Sequence, residues 1–184
     1  EYLRSNPDSI VGEIGLDGFH FDGASAEKAL TTPMEHQVEA FVMQMELAHE
    51  LQRPVSIHTV QCFGPLTTTL SMLKKKNQLP PKLYFHAFGG KVGTVDQLLA
   101  LCGRNIGQVY FGFAPLINFK APKTADVAQK VGLERILLES DHEDASRVPS
   151  SMRACVSFLA DCFQVDESTV IKQTTQNAID FYGL

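Results

Sequence analysis

The sequence predicts an α/β fold built on a parallel sheet. Short apolar runs alternate with segments whose apolar residues recur at helical spacing, and turn or capping signals separate them. This alternation is typical of strand–helix units, in which parallel strands pair and helices cover the sheet. Two architectures remain open, a doubly wound open sheet and a (β/α)₈ barrel. In both, chemistry takes place at the carboxyl ends of the strands.

Five short apolar runs are the candidate strands. Short apolar runs of this kind are expected for strands that are buried on both faces. The runs are Val11–Ile14, Val55–Ile57, Leu83–Phe85, Val109–Phe113 and Ile136–Leu138.

The segments between and after these runs carry helix signals. Thr32 as the N-cap, Pro33 at the first helical position and Glu35 as the partner in a capping box predict the start of a helix that ends before Pro54. The other predicted helices lie at Leu66–Leu73, Thr94–Gly103, Thr124–Val131, Ser151–Phe163 and Glu167–Phe181. We find no linker, so residues 1–184 are predicted to form a single domain.

Composition and charge exclude several classes of protein. Hydrophobic residues make up 44% and charged residues 20% of the chain, which excludes wholesale disorder and a collagen-like fibre. The net charge of −5 excludes a nonspecific nucleic-acid binder with a basic surface. Binding to nucleic acid would therefore need a local site or a metal that neutralises phosphate.

Cysteine usage and hydropathy predict the compartment. The four cysteines form no Cys-x-x-Cys pair, which is typical of a reduced, intracellular protein. No apolar run is long enough to span a bilayer, and no signal peptide is evident. We therefore predict a protein of the cytoplasm or the nucleus without a membrane partner.

Four of the five candidate strands carry, at or near their ends, a residue type that binds metals. These residues are Glu13, His58, His86 and Asp141. A single histidine at a strand end is more often structural than a ligand, but four such residues on four elements favour a common site. Imidazole and carboxylate ligands together suit zinc, manganese or iron, whereas magnesium prefers more oxygens. A carboxylate shared by two metals would suit two-metal hydrolysis.

Five segments in order along the chain resemble one family, the TatD-type metal-dependent hydrolases, also described as TatD-like deoxyribonucleases. The stretch 35–64 is most similar to a eukaryotic, fungal-type branch, of which some members are described as partners of a cell-cycle ubiquitin-ligase subunit. The five segments are VGEIGLD (11–17), RPVSIH (53–58), FHAFGG (85–90), ILLESD (136–141) and QNAIDFYGL (176–184).

The resemblance implies a TIM-like (β/α) barrel of which this chain holds the C-terminal five of eight strand–helix units. The family opens with a His-x-His strand, and this sequence contains no such pair. We therefore expect an incomplete metal-dependent hydrolase barrel that lacks two ligands. Whether the chain is active by itself stays open.

The resemblance also implies roles for the four residues. Glu13 corresponds to the carboxylate between two divalent ions, and His58 and His86 correspond to the histidines of one ion. Asp141 corresponds to the aspartate that binds the other ion and helps to activate water, so Glu13 and Asp141 are the predicted catalytic residues. The ions are zinc, manganese or magnesium, with the identity left open.

The implied function is a phosphodiesterase or deoxyribonuclease that acts on DNA ends. Two alternatives remain. The acidic Glu143 and Asp144 would repel a phosphate backbone, which favours another amidohydrolase-type reaction on a lactone, an amide or a nucleobase. The incomplete ligand set favours a protein-interaction module with a relic metal site, which would have a protein partner.

Three further residues are candidates for substrate binding, namely His20, Gln61 and His142. His20 lies in a loop after the first strand, where a solvated loop is the simpler alternative. His142 neighbours Asp141 and is a candidate proton shuttle. Glycines 12, 15 and 18 do not have the spacing of a dinucleotide-binding motif, and we expect them to relieve crowding where strand meets loop.

Overall fold

Five parallel strands form one sheet in the order β1-β2-β3-β4-β5. The computed structural model describes residues 1–19, 30–103 and 105–184. Every strand lies beside its predecessor in sequence, whereas a doubly wound sheet reverses its order at a switch point. The order therefore favours the barrel over the open sheet. The strands are β1 (Val11–Asp17), β2 (Val55–Val60), β3 (Leu83–Phe85), β4 (Val109–Phe113) and β5 (Ile136–Leu138).

Helices connect the strands and follow the last one. Short 3₁₀ turns at Leu133–Arg135 and Ala145–Arg147 precede β5 and α7. The helices are α1 (Tyr2–Ser5), α2 (Met34–Glu50), α3 (Phe63–Lys75), α4 (Val92–Cys102), α5 (Pro115–Asn118), α6 (Thr124–Val131), α7 (Val148–Phe163) and α8 (Glu167–Tyr182). None of the helices in the described part of the chain combines the length and apolar character needed to cross a membrane.

Two of the predicted helix N-caps are wrong. Helix α2 has Pro33 as its cap residue and shows no side-chain cap, so Thr32 does not fill that role. Helix α4 begins at Val92, earlier than predicted, and the backbone N–H of Lys91 donates to the hydroxyl of Thr94 at 3.4 Å. Thr94 thus lies in the first turn. A threonine hydroxyl can serve at the N-cap or in the first turn, so the sequence places the start of the helix only to within a few residues.

The two faces of the sheet belong to two separate apolar clusters. Alternate strand residues such as Ile57, Phe85 and Phe111 pack against the covering helices and form the main core. On the opposite face, Tyr84 and Tyr110 pack with Leu137 and with a residue of α8. We call this second face the inner face, because it is the face that would line the interior of a barrel.

The terminal segment of the chain anchors α8 to the sheet. Phe181 is fully buried and lies edge-to-face against Tyr84 and Tyr110, with ring centroids 5.6 and 5.5 Å apart. Asn177 is also buried, and its amide donates to the carbonyls of Leu133 and Ile136 at 2.8 Å each. These contacts explain in physical terms why the motif at 176–184 carries an asparagine and an aromatic residue at these positions.

Candidate active site

The four predicted ligands lie at the carboxyl edge of the sheet. His86 directly follows β3, and Asp141 comes three residues after β5. Glu13 and His58 lie inside their strands, because β1 and β2 continue to Asp17 and Val60 beyond the predicted ends. The register still gathers the four side chains, since parallel strands present their carboxyl ends at one edge.

Glu13, His58, His86 and Asp141 form a continuous series of contacts. His58 Nδ1 lies 2.9 Å from Glu13 Oε1. His86 Nε2 lies 3.8 Å from Glu13 Oε2 and 3.1 Å from Asp141 Oδ1. The structure thus brings together the four residues proposed from the sequence, while their roles as ligands remain a prediction.

A glycine allows β1 and β2 to approach closely beside His58. Gly15 is the register partner of His58, and a Cβ atom at position 15 would overlap the backbone of His58. The expectation that a glycine here relieves crowding is therefore confirmed. Any larger residue at this position would push the strand that carries Glu13 away from the strand that carries His58.

Asp17 closes the end of β1 and also faces the site. Its Oδ1 accepts from the backbone N–H of Phe19 at 2.7 Å, and its Oδ2 lies 3.7 Å from His58 Nε2. The side chain of Gln37 in α2 bonds both the backbone N–H and the carbonyl of Asp17, at 2.7 and 3.0 Å. Helix α2 thereby fixes the strand end that supports His58.

A further carboxylate, Glu139, occupies the site and was not predicted from the sequence. Glu139 Oε2 accepts from the hydroxyl of Tyr84 at 2.6 Å and pairs with Nδ1 of His86, while Oε1 accepts from the backbone N–H of Ala87 at 2.5 Å. The alternation of side chains between the two faces of a strand could have predicted its position. Leu137 lies on the inner face, so Glu139, two residues later, is expected on that face too.

The carboxylates set the electrostatics of His86. Burial by itself lowers the pKa of this imidazole, but the hydrogen bond to Glu139 and the charges of Glu139, Glu13 and Asp141 outweigh it and raise the pKa to about 9. Burial, followed by the charge of Glu139, raises the pKa of Tyr84 well above 10. Near neutral pH, His86 is therefore a cation among carboxylates, and Tyr84 is a neutral hydrogen-bond donor.

The structure describes two of the three candidates for substrate binding. His20 lies outside the described residues. Gln61 directly follows β2 with an exposed side chain and a left-handed backbone, φ 52°. His142 is half-buried beside Asp141 and lines a cavity of about 490 Å³ that Glu139 and Met152 also border. Their roles in binding remain predictions.

The donor set suits a divalent ion by its chemistry, since it combines two imidazoles with carboxylates. In residues 1–19, 30–103 and 105–184, however, no group of three or more His, Cys, Asp or Glu side chains is arranged so that it could hold a metal ion. The donors pair with one another instead. Binding of an ion would therefore replace these pairings.

Comparison with known proteins decides the family. A family model described as TatD related DNase matches residues 2–183, almost the whole chain. The chain belongs to the TatD-related DNase family. The resemblance inferred from five short segments is thereby confirmed.

Two curated relatives illustrate how far this TatD-family chain has diverged. It is 24% identical over 216 residues to the Cut9-interacting protein scn1 of Schizosaccharomyces pombe, covering 98% of this chain and 64% of that protein. It is 24% identical over 176 residues to the uncharacterized metal-dependent hydrolase YcfH of Escherichia coli K12, covering 91% of this chain and 60% of that protein. The chain thus spans less than two thirds of the length of these relatives.

A solved structure of a TatD homolog confirms the fold. YJJV from Escherichia coli K12 superposes with a TM-score of 0.76 at 22% identity, covering 100% of this chain and 68% of that structure. The predicted α/β class with a TIM-like arrangement of strand–helix units is therefore correct.

Proposed function

We propose that this TatD-family protein is a divalent-metal-dependent hydrolase of phosphodiesters, a deoxyribonuclease that acts on DNA ends through a two-metal site. The family description and the name of the relative YcfH support hydrolysis with a metal. The observation that carries the proposal is the series of contacts among Glu13, His58, His86 and Asp141 at the carboxyl edge of the sheet.

The proposed ligand roles are those that the family resemblance implies. Glu13 contacts both histidines, and we propose it as the carboxylate that would serve both ions. His58 and His86 would serve one ion and Asp141 the other. Bound ions of this kind supply Lewis acidity, which polarises the phosphate and makes water a stronger acid.

The residues of the chain have separate tasks in the proposed reaction. A carboxylate oxygen of Asp141 accepts the proton of the attacking water, and the side chain is 31% exposed, so solvent reaches it. The water oxygen forms a bond to phosphorus while the bond from phosphorus to the leaving nucleotide oxygen breaks. Glu13 and His58 hold each other in place on adjacent strands during this exchange.

The acidity of the site predicts a strict requirement for cations. Glu13, Glu139 and Asp141 surround His86, and Glu143 and Asp144 are exposed nearby. These carboxylates repel phosphate when no ion is present. We therefore infer that DNA binds only after a divalent cation has offset part of this charge.

The cavity beside Asp141 is the proposed position of the terminal nucleotide. Its volume of about 490 Å³ lies in the range of small-ligand sites. His142 lines this cavity, and Gln61 directly follows β2. We propose His20, Gln61 and His142 as substrate contacts.

A protein-interaction role is the second candidate. It is favoured by the similarity to a relative named for its interaction with Cut9. We place either activity in the cytoplasm or the nucleus, because all four cysteines are free thiols, as is usual in a reducing compartment.

The test is cleavage of single-stranded DNA labelled at one end or the other, with Mn²⁺ or Mg²⁺ and with a chelator. We expect cation-dependent loss of terminal nucleotides that Glu13→Gln and Asp141→Asn abolish. The matched controls Glu39→Gln and Asp161→Asn change exposed carboxylates on helices and should cleave like the parent. Equal cleavage by Glu13→Gln, or no bound metal in the parent protein, contradicts the proposal.

Affinity purification separates the second candidate from the first. A stoichiometric protein partner that is retained by Asp141→Ala, together with no hydrolysis by the parent, would favour interaction. Hydrolysis that is lost in the same variant would favour the enzyme.

A further inference from the structure

Glu139 lies at the centre of a hydrogen-bond network beneath the proposed ligands. The hydroxyl of Tyr84 and the backbone N–H of Ala87 donate to its carboxylate at 2.6 and 2.5 Å, and Nδ1 of His86 lies in contact with it. Its side chain is only 12% exposed. The carboxylate is therefore held from three sides with little access to water.

The space that Glu139 occupies is made by a glycine on the neighbouring strand. Gly112 is in β4, and a Cβ atom at that position would overlap both the Glu139 carboxylate and the Tyr84 hydroxyl. The position of the carboxylate thus depends on packing as well as on hydrogen bonds. A carboxylate fixed in this way can in turn fix the group that faces it.

We infer that Glu139 is a positioning residue that holds His86 with its proton on Nδ1, so that Nε2 is the nitrogen available to a metal ion. Nδ1 faces Glu139 and Nε2 faces Asp141, and an ionised carboxylate only accepts hydrogen bonds, so a neutral ring can donate to only one of the two. The contact to Glu139 is the shorter and the more buried of the two, so we expect Nδ1 to keep the proton. The other nitrogen, Nε2, points to Asp141 Oδ1 at 3.1 Å and to Glu13 Oε2 at 3.8 Å. The Nδ1 edge of the His86 ring therefore faces Glu139, and its Nε2 edge faces the proposed ligands Glu13 and Asp141.

This inference concerns the same site as the proposed function and rests on it only for metal affinity. The location of the proton on the ring is a property of the metal-free protein. It can be measured whether or not the protein binds metal or cleaves DNA.

The first measurement is the ¹⁵N spectrum of the His86 ring in the metal-free protein, at a pH high enough that the ring is neutral. Nδ1 and Nε2 have well-separated ¹⁵N shifts according to which one carries the proton. We expect the proton on Nδ1. A proton on Nε2 in the parent protein overturns the inference without any variant.

The second measurement uses Glu139→Gln, which preserves the size of the side chain. Its single amide oxygen stays on the Ala87 N–H, so its NH₂ group faces His86 and the neutral ring should move its proton to Nε2. Zn²⁺ affinity, measured by competition with a chelator, should fall about 10- to 100-fold. The matched variant Tyr84→Phe removes a different donor to the same carboxylate, so it should keep the proton on Nδ1 and bind Zn²⁺ like the parent.

The outcomes separate this inference from the proposed function. If Glu139→Gln keeps the proton on Nδ1 and binds Zn²⁺ like the parent, the positioning role is wrong. If the proton moves in Glu139→Gln while the parent itself binds no Zn²⁺, the positioning role stands and the proposed metal centre fails.

Discussion

Raising the pH of the metal-free protein from about 6 to about 10 is expected to remove about 3 kcal/mol of folding stability through His86 alone. The pKa of this side chain is about 9 in the folded protein, against an ordinary value of 6.5. Each unit of difference corresponds to about 1.4 kcal/mol between the two protonation states. His86 is only 17% exposed, so solvent screens its ion pairs weakly.

The direction of the effect follows from proton binding. The folded protein holds the His86 proton more tightly than the unfolded chain does, because Glu139, Glu13 and Asp141 surround the imidazole. The stabilisation is therefore fully present below the unfolded pKa of 6.5 and is lost as the pH rises through about 9.

Urea unfolding followed by far-ultraviolet circular dichroism measures the effect, since the chain contains no tryptophan for fluorescence. His86→Gln is the reference, because it removes this titration and leaves the cysteines and tyrosines to titrate as in the parent. The free energy of unfolding of the parent should fall by about 3 kcal/mol more than that of the variant between the two pH values. If the free energies of unfolding of the parent and of His86→Gln fall by the same amount between the two pH values, the reasoning is refuted.

Two substitutions elsewhere test the packing around the site. Gly112→Ala should lower the free energy of unfolding by about 1 to 3 kcal/mol through overpacking. Gly64, by contrast, lies in helix α3, where a Cβ atom would have no other atom within 4 Å. Gly64→Ala should therefore leave the free energy of unfolding unchanged or raise it slightly. Asn177→Ala should cost about 1 to 3 kcal/mol, because the carbonyls of Leu133 and Ile136 lose their donor. Gln176 is exposed on the same helix, so Gln176→Ala should be nearly neutral.

Thermal unfolding of the four variants gives the comparison. A Gly112→Ala variant as stable as Gly64→Ala would mean that the inner face has room that the structure does not show. Equal stability of the two α8 variants would mean that the terminal asparagine is not needed to anchor this helix.

The strands that could be predicted most accurately are those whose residues are all apolar. The predicted bounds of β3, β4 and β5 agree with the structure, because a short continuous apolar run leaves little choice of bounds. β1 and β2 were predicted too short, since each continues through polar residues that still pair with the neighbouring strand. Helix α1, only four residues long and without a side-chain cap, gave no periodic signal.

The same distinction applies to the candidate site. Glu13, His58, His86 and Asp141 were proposed because a ligand-type residue near a strand end is visible in the sequence. Glu139 was missed because it stands two residues before Asp141 and resembles a second surface carboxylate. Only the phase of β5, which depends on which face Leu137 occupies, shows that it points inward.

Gly112, which packs against the carboxylate of Glu139, also limits how this site can evolve. A Cβ atom at position 112 would overlap the carboxylate of Glu139, so a side chain can be gained at position 112 only when the one at position 139 is shortened. Gly112→Ala combined with Glu139→Asp is the simplest joint change that relieves the overlap. We therefore expect the two positions to covary among related sequences, and a relative with a larger residue at the first should have a shorter one at the second.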